Sequence, residues 1–283
     1  MPRPSLPRPA ILLRAVVLGA GLAAAARPLA AQQPAVPRGA DEWLERCRRD
    51  GGWRDDHERF CEVREYTVAS TGRLHVDAGP NGGVAVHGWD RKDIFIRAKV
   101  QTQAESMGEA RDLAKELRVV TGSGTVRTEG PSSRRHRNWS VSYDIWAPRA
   151  MDLDLESTNG GVTITEVRGR LRAETTNGGV HLSEVAGDVE ARTTNGGVTV
   201  ELSQSRWEGT GLDVETTNGG VTLTLPQNFN ARLEAETTNG GFHFDFPVTL
   251  QGRLDRRIST TLGQGGPLVR AVTTNGGVRI RQR

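Results

Sequence analysis

The sequence predicts an all-β protein built as a parallel β-solenoid, with coils of about 18–23 residues and an N-terminal cap containing one amphipathic helix. Three observations carry this. First, Ser157-Thr158-Asn159-Gly160-Gly161-Val162 recurs with small changes around Asn177-Gly178-Gly179, Asn195-Gly196-Gly197, Asn218-Gly219-Gly220, Asn239-Gly240-Gly241 and Asn275-Gly276-Gly277. The Asn positions are 18, 18, 23, 21 and 36 residues apart, the last step close to two units. Self-similarity at such a period marks units that bury their apolar faces only against their neighbours. Second, apolar and polar residues alternate on both sides of each turn, as Leu171, Ala173 and Thr175 do before Asn177 and Val180 and Leu182 after it. Period two means two strands per unit. Third, the columns hold throughout. Six positions before each Asn stand Leu153, Leu171, Val189, Leu212, Leu233 and Val269; three after it stand Val162, Val180, Val198, Val221, Phe242 and Val278.

Asn and Gly tolerate positive φ, so the Asn-Gly-Gly step reads as a sharp reversal without a Cβ clash. An antiparallel meander has the same parity, because Asn-Gly is also a hairpin signal. Near-identity of the repeats favours the solenoid, in which equivalent residues stack about 4.8 Å apart.

In chain order, residues 1–31 read as a secretory signal: Arg3, Arg8 and Arg14 precede the apolar run Ala15 to Ala26, and Leu29-Ala30-Ala31 offers a cleavage site. The run is too short for a transmembrane helix, so no stable membrane span is expected after cleavage. The whole chain has 37 basic and 34 acidic residues. The signal holds Arg3, Arg8, Arg14 and Arg27 and no acid, which leaves 37 − 4 = 33 basic against 34 acidic residues. No excess of positive charge remains for nucleic acid. Residues 32–62 form a linker and a charged segment in which Cys47 and Cys61, the only cysteines, are expected to form a disulfide in an exported chain.

Residues 63–150 read as an N-terminal β region that includes a degenerate repeat at Pro80-Asn81-Gly82-Gly83-Val84. Within it Met107, Ala110, Leu113, Ala114 and Leu117 take helical spacing, with Ser106 and Glu109 as a capping box, so a capping helix is expected over about 104–117. Residues 121–138, with Gly122, Gly124, Gly130 and the basic run Arg134 to Arg137, read as a loop. Residues 151–283 are the repeat solenoid. Its last segment, Val278 to Arg283, alternates Arg in a way that discourages edge-to-edge pairing of a final strand.

At this point a family resemblance is evident. The TTNGGV repeats from Ser157 to Val278, the segment Asp77-Ala78-Gly79-Pro80-Asn81-Gly82-Gly83-Val84 followed by Gly88-Trp89-Asp90, and Trp139-Ser140-Val141-Ser142-Tyr143-Asp144 resemble the bacterial "putative adhesin" family of exported proteins, related to auto-transporter adhesin head (GIN) domains. The resemblance covers about Val63 to Arg283. It implies a parallel β-solenoid, and the family has no catalytic motif to carry over.

Stacking turns each polar column into a surface ladder. Glu156 with Glu174, and Glu215 with Glu236, are expected to be neighbours, interrupted by Arg172 and Arg192. Carboxylates so spaced could hold Ca²⁺, but no Asp sits in the Asn-Gly-Gly turns, and a solvated mixed-charge face with no metal is expected. After the turn, Thr163, His181, Thr199, Thr222 and His243 form an outward column that is the candidate binding face. His181 with Glu201 is the one pair from which acid–base chemistry could be assembled, and it lies on a repeating face without a long loop to enclose it. No catalytic residue and no cofactor are therefore expected. The turn Asn residues are read as structural, bonding along a ladder.

The reading is an exported, non-enzymatic β-solenoid acting as a binding or adhesion module at the cell envelope. Its ligand is of cell-envelope or polysaccharide type, and its location is periplasmic, on the cell surface or secreted. The alternatives are a polysaccharide-active enzyme on a β-helix scaffold and a purely structural envelope protein.

Overall fold

Alternation on either side of each turn delivers one strand to each of two ten-stranded sheets, here called leading (before the turn) and trailing (after it). The computed structural model describes residues 37–49, 57–134, 136–247 and 256–283. Gly39–Arg283 form one unit, and Pro37 and Arg38 belong to another, Met1–Arg38. The signal segment at 1–31 lies outside the described residues, as do Trp53 and Arg135.

From the N-terminus, α1 (Ala40–Arg49) is followed by β1 (Glu58–Ala69), β2 (Arg73–Asp77), β3 (Val84–Trp89) and β4 (Asp93–Ala104). Then come α2 (Met107–Glu116), the hairpin of β5 (Arg118–Gly122) and β6 (Thr125–Glu129), and β7 (Asn138–Pro148). The repeats supply strand pairs: β8 (Asp152–Ser157) with β9 (Val162–Thr165), β10 (Arg168–Thr175) with β11 (Val180–Ser183), and β12 (Ala186–Asn195) with β13 (Val198–Glu201). β14 (Gly211–Asn218) with β15 (Val221–Leu225) and β16 (Ala231–Asn239) with β17 (Phe242–Phe244) continue the series. The single strand β18 (Arg257–Leu262) precedes β19 (Leu268–Asn275) and β20 (Val278–Gln282).

The inward residues of both sheets form one core. Leu155, Ile164, Ala173, Leu182, Val200, Leu223 and Ile280 belong to it, each fully buried. Burying one such aliphatic side chain contributes about 1.5–3 kcal/mol for the larger ones, so the stacked columns supply the main stabilisation of an otherwise polar chain. Tyr143 of β7 closes the N-terminal part of the core; its hydroxyl bonds Thr128, and burial pushes its pKa up to about 12.

The stack is solenoid-like but not wholly parallel, and this corrects the expectation. The repeat strands pair in parallel, β8 with β10, β10 with β12 and β12 with β14, and β9, β11, β13 and β15 likewise. At the ends the pairing turns antiparallel: β1 with β4, β4 with β7, β5 with β6, and β16 with β18. Of these pairs only β5 and β6 form a hairpin; β1 with β4, β4 with β7 and β16 with β18 are joined through intervening elements, so the antiparallel order belongs to the strands that cap the two ends of the stack. The N-terminal part also holds two helices rather than one. α2 is the expected helix, with Ser106 Oγ accepting the Glu109 amide. α1 places Asp41 and Glu42 in its first turn and Arg46, Arg48 and Arg49 in its last, charges that suit the helix dipole. Cys47 on α1 is disulfide-bonded to Cys61 on β1. Part of the segment expected to be a loop, Thr125–Glu129, is strand β6.

The order of the last coils also differs from the order in sequence. β19 pairs with β14 on one side and β16 on the other, and β20 pairs with β15 and β17. The Asn275 coil thus lies between the Asn218 coil and the Asn239 coil. β20 is an interior strand, so its arginines do not guard an edge; β17 and β18 occupy the edges at this end.

The turns are held by two ladders. Asn side chains donate from Nδ2 to the next Oδ1 in an unbroken series: Asn159 to Asn81, Asn177 to Asn159, Asn195 to Asn177, Asn218 to Asn195, Asn275 to Asn218 and Asn239 to Asn275, at 2.7–3.2 Å. The buried hydroxyl residue two places before each repeat Asn, Ser157 in the first and Thr in the others, donates to the first turn glycine of the adjacent coil, as Thr193 Oγ1 does to Gly178 O at 2.7 Å. The same glycines are required by crowding rather than by φ. Among the described residues no Asn or Gly of the repeat turns has positive φ. A Cβ on Gly196 would lie 2.1 Å from Gly178 O, and one on Gly178 2.2 Å from Gly160 O. Positive φ occurs at the opposite corner of the coil, at Gly187 (114°) and Gly209 (137°).

Candidate functional site

The two outer faces differ in chemistry. On the trailing sheet, register places Thr163, His181, Thr199 and Thr222 in one row, each beside the next. His243 does not follow Thr222 directly, because Arg279 of the interleaved β20 stands between them. A parallel row runs from Trp146 through His87, Thr165, Ser183, Glu201 and Thr224 to Arg281. At the N-terminal end this face gathers aromatic rings: Trp146 lies 5.4 Å from His87 and 5.6 Å from Phe95, and the buried Arg97 guanidinium sits 5.2 Å from the Trp146 ring while pairing with Glu65 at 2.9 Å. Burial holds the His87 imidazole below its usual pKa. From β7 to β17 the face spans seven strand steps, roughly 34 Å at the usual strand spacing. Its middle is hydroxyl-rich and half-buried by its own neighbours.

His181 and Glu201 are on adjacent strands but out of direct register: His181 faces Thr199, and Glu201 faces Ser183. The structure records no hydrogen bond or ion pair between them among the described residues. His181 thus stands between Thr163 and Thr199, and Glu201 between Ser183 and Thr224.

The leading sheet carries the charged face. Arg172 bonds Glu174 at 2.7 Å, and Arg192 reaches Glu174, Glu190 and Glu215. The bond to Glu174 raises the Arg172 pKa above its already high usual value. Glu156 and Glu174 are neighbours as expected, but Glu215 and Glu236 are not, since Val272 of β19 stands between them. Two hollows lie here, one of about 450 Å³ lined by Glu156, Glu174, Arg192, Glu215 and turn threonines, and one of about 530 Å³ lined by His75, Asp152, Asp154, Arg170 and Arg172 among others. The second includes residues that column counting missed. Leu74 pairs with Leu153 although it stands seven places before Asn81, against six for Leu153 before Asn159. One extra residue in the Ala78-Gly79-Pro80 bulge, with Gly79 at φ 68°, shifts the parity, so His75 and Asp77 fall beside Asp154 and Glu156. In the charged loop cluster Arg137 is paired with Glu116, and His136 stacks on His57.

The family described as Toastrack DUF4097 matches residues 105–281, from just before α2 into the last strand. The chain belongs to the Toastrack DUF4097 family. The disulfide and β1 to β4 lie outside the matched span of this Toastrack chain. No curated protein matches it. Among solved structures, this Toastrack chain is similar to a "putative cell adhesion protein" from Clostridium sporogenes ATCC 15579, at 13% identity over 79% of this chain and 100% of that one, TM-score 0.42. It is also similar to a "putative adhesin" from Bacteroides fragilis NCTC 9343, at 12% identity over 79% and 97%, TM-score 0.43. A third is a "putative lipid binding protein" from Parabacteroides distasonis ATCC 8503, at 12% identity over 78% and 96%, TM-score 0.32. Among the described residues no helix is long and apolar enough to cross a membrane.

Proposed function

We propose that the protein is an exported, non-enzymatic binding module that engages an extended cell-envelope ligand, of polysaccharide type, along the outer face of the trailing sheet. The observation that carries this reading is the in-register row Thr163, His181, Thr199 and Thr222, running across parallel strands of the sheet that also carries the Trp146 and His87 rings. Hydroxyl and imidazole groups at a regular spacing exchange hydrogen bonds with ligand hydroxyls, and aromatic rings add stacking area. Charge on this stretch is low, so the interaction does not depend on counter-ions. The rigid sheet presents its groups pre-ordered, which lowers the entropic cost of binding a long ligand. The kinship with auto-transporter adhesin heads read from the TTNGGV repeats belongs to the same proposal.

Co-sedimentation of the purified protein with isolated envelope and polysaccharide fractions tests it. Saturable binding without cleavage of the polysaccharide is the expected result. Depolymerisation would make the module an enzyme, and absence of binding to every fraction would leave a structural role.

A further inference from the structure

We propose that His75, Asp154 and Glu156 form a site for a divalent transition-metal ion of the zinc type on the outer face of the leading sheet, at the junction between the first, bulged coil and the regular repeats. It is independent of the ligand face on the other sheet.

The backbone builds the site. Asp154 and Glu156 are two apart on β8, so both carboxylates leave the same face of the sheet, and His75 on β2 stands in register opposite Asp154. The donor atoms of the three residues all lie within 4.8 Å of one another. His75 Nδ1 and Asp154 Oδ2 are hydrogen-bonded at 3.1 Å, close to the roughly 3.4 Å that separates two ligands of a tetrahedral ion bound at about 2.1 Å to each, so a bound ion would take the place of that hydrogen bond with little movement. All three are half-buried, and the His75 and Asp154 side chains keep 39% and 41% of their surface open, which leaves an ion a way in.

Two further observations separate this cluster from the rest of the charged face. Asp154 Oδ1 is shielded from solvent without a hydrogen-bond donor, and its nearest recorded cation is Arg172 Nη1 at 3.9 Å, beyond hydrogen-bond range. A shielded carboxylate oxygen with no donor costs free energy that a bound cation recovers. Among the described residues Glu156 has no recorded ion pair, whereas Glu174 beside it is bonded by Arg172 and approached by Arg192. Arg172 thus bonds Glu174 directly but stands 3.9 Å from Asp154, and the group closest to Asp154 is the His75 imidazole.

The donor set selects the ion. One imidazole and two carboxylates suit zinc and its neighbours in the first transition row, while Ca²⁺ takes six to eight oxygens. Three protein ligands leave open positions for water. Bound there, the ion would tie β2 to β8 next to the Ala78-Gly79-Pro80 bulge, where the extra residue interrupts the regular ladder.

The test is isothermal titration of the chelator-treated, untagged protein with Zn²⁺ alone, in parallel with Ca²⁺, together with thermal melts. One saturable equivalent of Zn²⁺ is expected, with a higher melting midpoint when it is bound. Binding should weaken at least about tenfold in His75→Ala and in Glu156→Gln, since loss of even an outer-sphere partner costs that much. Glu156→Gln removes no recorded bond and so reads the site even if His75→Ala folds poorly. Glu215→Gln, on the same face two coils away from β10, should bind as the parent does. No saturable uptake, tighter binding of Ca²⁺ than of Zn²⁺, or binding that persists in both variants and disappears in His57→Ala would each overturn the assignment.

Discussion

Replacing Gly196 by alanine adds one methyl group at the most crowded point of a turn. Its Cβ would stand 2.1 Å from Gly178 O, 2.5 Å from Gly178 C and 3.0 Å from Gly179 N, all backbone atoms that no rotamer change can move. An ordinary carbon–oxygen contact is more than 3 Å, so the two coils must separate locally by about 1 Å. Separation strains the Asn195–Asn177 bond at 2.8 Å and the Thr193–Gly178 bond at 2.7 Å. At about 1 kcal/mol for each bond and 1–3 kcal/mol for overpacking, the expected loss is about 3–5 kcal/mol. For a unit of this size that corresponds to a fall of roughly 6–20 °C in the melting midpoint, at about 2–4 °C per kcal/mol. Gly241 is the control, the second glycine of the outermost coil, whose Cβ would meet nothing within 4 Å. Gly241→Ala should stay within about 0.5 kcal/mol of the parent. A Gly196→Ala midpoint equal to the parent's refutes the crowding argument; equal losses at both glycines would return the requirement to backbone conformation.

Deleting residues 268–283 removes an interior coil, with Val269, Ala271, Val278 and Ile280 all buried, so the remaining β14 to β17 should lose cooperative unfolding; a deletion protein that melts like the parent contradicts the interleaved order. The Cys47–Cys61 bond, spanning 14 residues, should contribute roughly 3 kcal/mol in the chain-entropy model, and the Cys47→Ser/Cys61→Ser protein should show that loss in denaturant titration. Burial lowers the His87 pKa from 6.5, so the unfolded chain protonates first as pH falls. The stability due to neutral His87 is therefore complete above about pH 6.5 and is lost as pH falls through the lowered folded-state value. Urea midpoints measured from pH 7.5 to 5 should fall less steeply in His87→Gln than in the parent; identical slopes would show that His87 does not carry the effect.

Much of the repeat region is legible because equivalent residues stand in equivalent environments. The columns at Leu153, Leu171 and Val189, and at Val162, Val180 and Val198, are the buried columns of the structure, and the row from Thr163 to Thr222 is a real surface row. Three features were hidden for physical reasons. The place of the Asn275 coil is invisible because it carries the same turn and the same apolar columns as the Asn239 coil, so either order satisfies the alternation. The His75 cluster is hidden by the bulge that moves the parity by one, although the apolar pair Leu74 and Val76 marks the true phase. Helix α1 escaped because, of its ten residues, only Cys47 is buried; charge placement and the disulfide hold it rather than an apolar stripe.

The most direct test of the binding face is a comparison of two charge-reversed surfaces in the co-sedimentation assay: Thr199→Glu with Thr222→Glu on the trailing sheet, and Glu174→Lys with Glu215→Lys on the leading sheet, each confirmed folded by its melt. Loss of binding confined to the threonine variant is the expected result. Loss confined to the glutamate variant, with the threonine variant binding as the parent does, would contradict the assignment and move the ligand to the charged face.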